Sequence, residues 1–208
     1  MRRKTSPRRC LTTTAAGVVP GPPQFIEDQQ FPEKIVVNHH LIQPNDVLSD
    51  LRTRKERLIF TIQEIEADDV ESMYLGQEYL GVGIDKFNPH AQKKQLSFAD
   101  LAGLSFLVVQ DIGPWRKVVE DNIPDATFLY QEDLKAMSQI SRYSNFPFFF
   151  SNLTQVTSAT ESRFGSDNRN AIEINDPHNH LEIYGTYLKS ERRNIQPLLK
   201  ELAKKWPK

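Results

Sequence analysis

The stretch from Leu96 to Pro124, LSFADLAGLSFLVVQDIGPWRKVVEDNIP, constrains the fold of this chain most strongly. Its apolar run, residues 104–109, lacks the polar alternation of a half-exposed strand and therefore predicts a strand buried on both faces. A short helix is predicted before the run, at residues 97–103, and another helix after it, at residues 114–122. Because helix, strand, turn and helix in this order form one step of a βαβ array, the stretch predicts a parallel sheet.

The same alternation continues on both sides of this stretch. Strands are predicted at residues 10–14, 34–39, 58–63, 104–110, 126–131, 146–150, 170–174 and 181–188, and further helices at residues 22–30, 46–55, 133–143 and 194–206. The long extended segment Val70–Asp85 is interrupted by glycines and is predicted to cross between two lobes, with residues 181–188 as the return crossing. The predicted fold class is α/β, with two lobes joined by two crossing segments. Lobe I comprises residues 10–79 and 182–208, and lobe II comprises residues 80–181.

Charge, cysteine content and hydropathy exclude several classes of protein. The formal net charge is -1, although residues 1–9 carry five basic side chains, so the body of the chain is acidic and a poor non-specific binder of nucleic acid. Residues 1–9 are predicted to be a disordered basic tail. The single cysteine, Cys10, excludes an internal disulfide framework and a multi-cysteine zinc site. Because no segment is apolar enough for a signal peptide or a membrane span, a cytoplasmic protein is expected.

Sequence signatures of catalysis and cofactor binding are missing. The sequence contains no phosphate-binding G-x-x-x-x-G-K-[ST] or G-x-G-x-x-G motif, no G-x-S-x-G nucleophile motif and no H-E-x-x-H metal motif. His178 and His180 lie near Asp176, but solvent-exposed loop histidines explain them better than a closed metal site does. We therefore expect a protein that is not an enzyme and that has no catalytic residues, cofactor or metal.

The turn Asp111–Trp115 is the first candidate site, because it follows the predicted buried strand. In open α/β sheets, ligands bind at the carboxyl ends of the strands. The helix that begins near Trp115 presents free N–H groups and the positive end of its dipole, which favours an anionic small molecule over a cation. Gly113 permits close approach of a ligand, and the indole ring of Trp115 is a candidate stacking surface.

The segment LSFADLAGLSFLVVQDIGPW resembles the start of the second lobe in the effector-binding domain of LysR-type transcriptional regulators. The upstream run NDVLSDLRTRKERLIFTIQEIEADDVESMYLGQEYLGVGIDKFNPHA is similar to the family in the order of its motifs, and the helix predicted at residues 194–206 matches the family's last helix. The resemblance covers about residues 10–206. It implies a periplasmic-binding-protein-like fold of type 2, a small effector bound between the lobes, and a homodimer of domains placed side by side.

The resemblance also implies a set of ligand-binding residues, because effector contacts in the family come from the turns that follow the strands. These residues are Thr13, Thr14, Thr61 and Gln63 in lobe I, and Ile112, Gly113, Trp115, Glu132 and Ser151 in lobe II.

One departure from the family concerns DNA binding. Residues 1–9 cannot supply the winged helix-turn-helix and linker helix with which a LysR-type regulator begins. The chain is therefore expected to be either the effector-binding domain of a longer regulator or a truncated product, without specific DNA binding of its own. A free-standing solute-binding protein of the same fold is the alternative, although it would need an export signal. An enzyme on this fold is a third reading, for which no catalytic constellation or cofactor motif is found.

Overall fold

Strands and helices alternate through the described part of the chain, residues 12–29, 31, 34–155 and 168–207 of a computed structural model. The strands are β1 (Thr13–Gly17), β2 (Ile35–Leu41), β3 (Leu58–Thr61), β4 (Val70–Glu78), β5 (Leu80–Asp85), β6 (Gln95–Leu96), β7 (Ser105–Val109), β8 (Thr127–Gln131), β9 (Phe148–Ser151), β10 (Arg169–Ile174) and β11 (Leu181–Leu188). The α-helices are α1 (Gly21–Glu27), α2 (Val47–Arg52), α3 (Trp115–Asn122), α4 (Leu134–Ser141), α5 (Asn152–Gln155) and α6 (Arg192–Lys205). The predicted basic tail and Cys10 lie outside the described residues.

These strands form two sheets. The sheet of lobe I has five strands in the order β2-β1-β3-β11-β4, in which β2, β1 and β3 are parallel and β11 is antiparallel to both of its neighbours. The sheet of lobe II has six strands in the order β6-β10-β5-β9-β7-β8, in which β8, β7 and β9 are parallel. The prediction of an α/β fold with two lobes is confirmed.

Burial of the central strands follows from their composition. Leu58, Ile59 and Phe60 of β3 are fully buried, and because consecutive side chains of a strand alternate between its faces, both faces of β3 are covered. In lobe II, Phe106 and Leu107 of β7 are buried in the same way, as the unbroken apolar run predicted.

The observed start of the first strand corrects the sequence prediction. Strand β1 begins at Thr13 rather than at residue 10, and it continues to Gly17 because Ala15–Gly17 pair in register with Leu58–Phe60 of β3. Thr13 and Thr14 therefore open the strand, and the prediction that they follow it is wrong.

The predicted helix at residues 97–103 is also wrong in extent. It is a single 3₁₀ turn, Ala99–Leu101. The main-chain N–H and the hydroxyl of Ser97, just before this turn, both donate hydrogen bonds to the Asp100 carboxylate within it. Gly103 then adopts a φ of 71°, which turns the chain directly into β7.

Two crossings connect the lobes and lie side by side. One residue, Tyr79, separates β4 from β5, while residues 175–180 join β10 to β11, and Glu78 pairs with Leu181 across the two crossings. Asn179, only 4% exposed, ties them together. Its Oδ1 accepts a hydrogen bond from the main-chain N–H of Leu80 at 2.9 Å, and its Nδ2 donates to the Leu80 carbonyl at 2.8 Å.

A second buried asparagine attaches lobe II to the same crossing. The Oδ1 of Asn152 accepts a hydrogen bond from the N–H of Tyr79 at 3.1 Å, and its Nδ2 donates to the carbonyl of Gln77 at 3.1 Å. Its own main-chain N–H donates to the carbonyl of Tyr79 at 3.0 Å. Asn152 thus grips the crossing strand on both sides of Glu78.

The last helix, α6, covers lobe I through its apolar stripe. Ile195, Leu198, Leu199 and Leu202 are buried against the sheet, in agreement with the predicted amphipathic pattern. Within the described ranges, no helix is both long enough and apolar enough to span a membrane.

Candidate ligand-binding cleft

The cleft lies where the carboxyl ends of parallel strands from both lobes face each other. Strand β1 of lobe I ends at Gly17, and strands β7 and β9 of lobe II end at Val109 and Ser151. The turns after β1 and β7 touch directly, because a Cβ atom placed on Gly113 would lie 2.4 Å from the carbonyl oxygen of Val18. Gly113 also has a φ of 57°, which favours glycine. A ligand was expected to approach Gly113 closely, but in the structure the Val18 carbonyl of the opposite lobe makes this close approach.

A buried carboxyl group, that of Glu78, lies between the two lobes in this cleft. The side chain at the end of β4 is 2% exposed. The indole Nε1 of Trp115 donates a hydrogen bond to its Oε2 at 3.2 Å, and the Ser151 side chain also hydrogen-bonds to the carboxyl group. A Cβ atom on Gly21 would lie 1.9 Å from Oε1, so the carboxyl group packs directly on the start of α1. Three elements, α1 of lobe I and α3 and β9 of lobe II, thus converge on the acidic side chain at the end of β4.

The electrostatics of this carboxyl group follow from its neutral surroundings. Burial raises the pKa of Glu78 to about 7, and the hydrogen bonds from Ser151 and Trp115 oppose this rise. In the described part of the chain, every group that shifts this pKa is uncharged. Near neutral pH the site therefore holds an acid that exists in both protonation states.

The predicted ligand-binding residues of lobe I do not converge on this carboxyl group. Thr13 and Thr14 lie at the amino end of β1, opposite the cleft. Thr61 lies at the end of β3, where its hydroxyl donates to the Gln63 carbonyl at 2.8 Å and shares a 2.8 Å hydrogen bond with the Thr186 hydroxyl. That hydroxyl holds the following turn to β11, while the Gln63 side chain is exposed.

Of the predicted residues in lobe II, two meet at Glu78. Trp115 is 3% exposed and donates a hydrogen bond to the carboxyl group. Ser151 is 4% exposed, and its side chain also hydrogen-bonds to that group. Ile112 is half-buried in the turn after β7, and Glu132 is exposed after β8, at the same edge of the sheet. For all of these residues, ligand binding itself stays a prediction.

Glu78 is not among the residues predicted from the sequence, because ligand contacts were expected in the turns that follow strands. Glu78 instead stands inside the long extended segment, two residues before the apolar run that begins at Leu80. Its only sequence signal is the position of a carboxylate at the point where a predicted crossing segment changes lobes. Asn152 and Asn179 carried no such signal, since their roles depend on contacts distant in sequence.

Two α/β lobes joined by two crossings, with a polar cleft at the carboxyl ends of the strands, define a periplasmic-binding-protein-like fold of type 2. Solved regulatory domains share it. The reduced OxyR regulatory domain of Pseudomonas aeruginosa matches with a TM-score of 0.70 and 15% sequence identity, covering 92% of this chain and 97% of that chain. A sulfate-bound mutant of the OxyR2 regulatory domain from Vibrio vulnificus has a TM-score of 0.64 at 15% identity, covering 93% and 94%.

The effector-binding domain of QuiR in complex with shikimate also matches, with a TM-score of 0.57 and 19% identity over 93% of this chain and 95% of that chain. These neighbours are effector-binding domains of LysR-type regulators, and at such identities the likeness is one of fold. No protein-family model and no curated protein matches the sequence.

Proposed function

We propose that this chain is the effector-binding domain of a LysR-type transcriptional regulator. It binds a small molecule between its lobes and thereby changes DNA binding by a DNA-binding domain of the full-length regulator. The observation that carries the proposal is the convergence of Glu78 from lobe I with Trp115 and Ser151 from lobe II at one buried polar point. A ligand that contacts groups from both lobes can favour one lobe arrangement over another.

The crossings supply a hinge for this mechanism. A single residue, Tyr79, separates the last strand of lobe I from the first strand of lobe II, so rotation there moves the lobes relative to each other. Asn152 and Asn179 hold the crossing on either side of this residue through side-chain hydrogen bonds. Binding of a ligand between the lobes would then rotate one lobe relative to the other, and this rotation can change the position of an attached DNA-binding domain.

The proposed effector is a small molecule that binds without covalent chemistry. The chain contains one cysteine, so it cannot form a disulfide within itself. Structural neighbours hold sulfate or shikimate, which supports recognition of small molecules on this fold. The proposal involves no catalytic step and places the regulator in the cytoplasm.

We also infer a homodimer. Strands β2 and β8 each form one edge of their sheet, and Val36 on β2 is 39% exposed. Open edges and exposed apolar side chains are surfaces that a partner can cover. Sedimentation equilibrium should give twice the chain mass of 24.0 kDa. A monomer at micromolar concentration would contradict this part of the proposal.

Thermal unfolding with a panel of metabolites, shikimate among them, tests the effector role. A ligand at about 100 times its Kd stabilises the folded state by about 2.7 kcal/mol, or about 5–10 °C for a chain of this size. The variant Trp115→Phe keeps an aromatic ring but removes the donor to Glu78, so it should weaken the stabilisation. Trp206→Phe is the matched control, because Trp206 donates to the main-chain carbonyl of Gln77 instead of to the Glu78 carboxyl group.

The proposal fails if no metabolite in the panel stabilises the chain. The assignment of the cleft fails if Trp115→Phe binds a stabilising metabolite as tightly as the wild-type protein does.

A further inference from the structure

We propose that the effector carries a positively charged nitrogen, an ammonium or a guanidinium group, which pairs with the carboxylate of Glu78. The inference rests on the proposed function and specifies the chemical class of ligand that the same cleft takes. It reverses the expectation of an anionic ligand, which was based on the amino end of the helix at Trp115 alone.

The charge of the site comes from Glu78. A carboxylate buried to 2% exposure is costly unless a positive charge or several hydrogen bonds compensate it. Among the described residues, the contacts to Glu78 are an indole N–H, the Ser151 side chain and the α-carbon of Gly21, all of which are neutral. Within this part of the chain, no positive charge compensates Glu78 when it is ionised.

The basic side chains nearest in sequence to Trp115 are Arg116 and Lys117 on α3, and both have other partners. The guanidinium of Arg116 donates to the Gln110 carbonyl at 2.8 Å and lies 4.0 Å from the centroid of the Tyr130 ring. Lys117 pairs with Asp121 at 2.5 Å. Helix α3 thus brings a tryptophan to the carboxyl group and directs its cations elsewhere.

Opening of the lobes would expose Glu78, because the groups around it belong to both lobes. Glu78 and Gly21 belong to lobe I, whereas Trp115 and Ser151 belong to lobe II. Separation of the lobes breaks the hydrogen bonds to the carboxyl group and presents its oxygens to an entering ligand. A cation gains from this charge as the cleft closes and water leaves, while an anion is repelled by it.

The protonation of Glu78 then links ligand affinity to pH. Burial raises its pKa to about 7 in the free protein, so the ionised fraction grows steeply from pH 5.5 to pH 8.5. A ligand that remains cationic over this range should bind about 30-fold more tightly at the higher pH, because it binds the ionised form. An anionic ligand should show the opposite trend.

Matched pairs of probes that share a carbon skeleton test the charge preference. Suitable pairs are benzylamine with benzoate, cyclohexylmethylamine with cyclohexanecarboxylate, and 1,4-diaminobutane with succinate, with agmatine and shikimate added. Thermal shifts are measured at pH 8 and constant ionic strength, and calorimetry gives Kd for each probe that stabilises the chain. At least one amine or guanidine should bind tenfold or more tightly than its carboxylate counterpart. That affinity should fall at least tenfold in Glu78→Gln, whereas Glu66→Gln, which removes an exposed carboxylate, should bind as the wild type does.

A second measurement covers the case in which Glu78→Gln does not fold. Carbon-13 NMR of the Glu78 carboxyl group in the wild-type protein should show that a saturating amine lowers its pKa by one unit or more, which corresponds to a tenfold preference for the ionised form. An unchanged pKa overturns the inference.

The failures are distinguishable. If carboxylates stabilise the chain and no amine or guanidine does, the cationic effector is refuted and the effector-binding function stands. Amine binding that is unchanged in Glu78→Gln also refutes it, and if no probe or metabolite binds at all, the proposed function fails as well.

Discussion

The pH dependence of stability at Glu78 is the sharpest consequence of the cleft geometry. Replacing Glu78 by glutamine keeps the shape of the side chain and removes its ionisation. The pKa of the acid is about 7 in the folded chain against an ordinary value of 4.5. Because the folded-state pKa is the higher one, the neutral acid is favoured by folding. Its contribution is complete below pH 4.5 and is lost as the pH rises through 7.

The magnitude follows from the difference between the two pKa values. At about 1.4 kcal/mol for each pKa unit, the complete loss is about 3 kcal/mol, most of which falls between pH 5 and pH 8. The side chain of Glu78→Gln does not titrate. As the pH rises from 5 to 8, the free energy of unfolding of this variant should therefore increase relative to that of the wild type by about this amount. For a chain of this size, the change corresponds to about 5–10 °C in Tm.

Urea unfolding at pH 5, 6, 7 and 8 measures this difference for the wild type, Glu78→Gln and Glu66→Gln. The exposed control, Glu66→Gln, should follow the wild-type curve, since its carboxylate lies in water in both states. Parallel curves for the wild type and Glu78→Gln would mean that Glu78 titrates as an ordinary exposed acid. That result would refute the burial argument and remove the electrostatic basis for a cationic effector.

Two further pairs of variants test the lobe contact and the hinge by urea unfolding. Gly113→Ala should destabilise the chain more than Gly103→Ala. Both glycines have a positive φ, so replacing either by alanine should lower the free energy of unfolding by about 1 kcal/mol. Only at Gly113 would the new Cβ also lie 2.4 Å from the Val18 carbonyl oxygen. Equal losses would contradict direct contact between the two turns. Asn179→Ala should cost about 3 kcal/mol, because it leaves buried main-chain groups of both crossings without partners. The exposed Asn175→Ala should cost less than about 0.5 kcal/mol, and similar losses at the two positions would refute the hinge assignment.

Much of the fold could be predicted, because its signals are local. The run at residues 104–109 indicated a strand buried on both faces, and β7 is such a strand. The segment 181–188 coincides with β11, and Pro22 and Pro23 lie in the first turn of α1 as predicted. Periodicity and proline placement act within a few residues, so the sequence alone expresses them.

Element boundaries were less predictable. Strand β1 extends to Gly17 because it pairs with β3, about forty residues later, and no local pattern reveals that pairing. The helix expected at residues 97–103 shortens to one turn because Gly103 and the start of β7 end it.

The sequence by itself determined the alternation of strands and helices, the buried central strands and the existence of crossing segments. It also drew attention to the turn at Gly113 and Trp115. Only the tertiary structure decided what that turn meets, which is the Val18 carbonyl and the carboxyl group of Glu78. The environment of Glu78 is set by Gly21, Trp115 and Ser151, which are far apart in the chain. Burial and the loss of solvent around a charge depend on the assembled lobes, so the chemistry of this cleft appears only after folding.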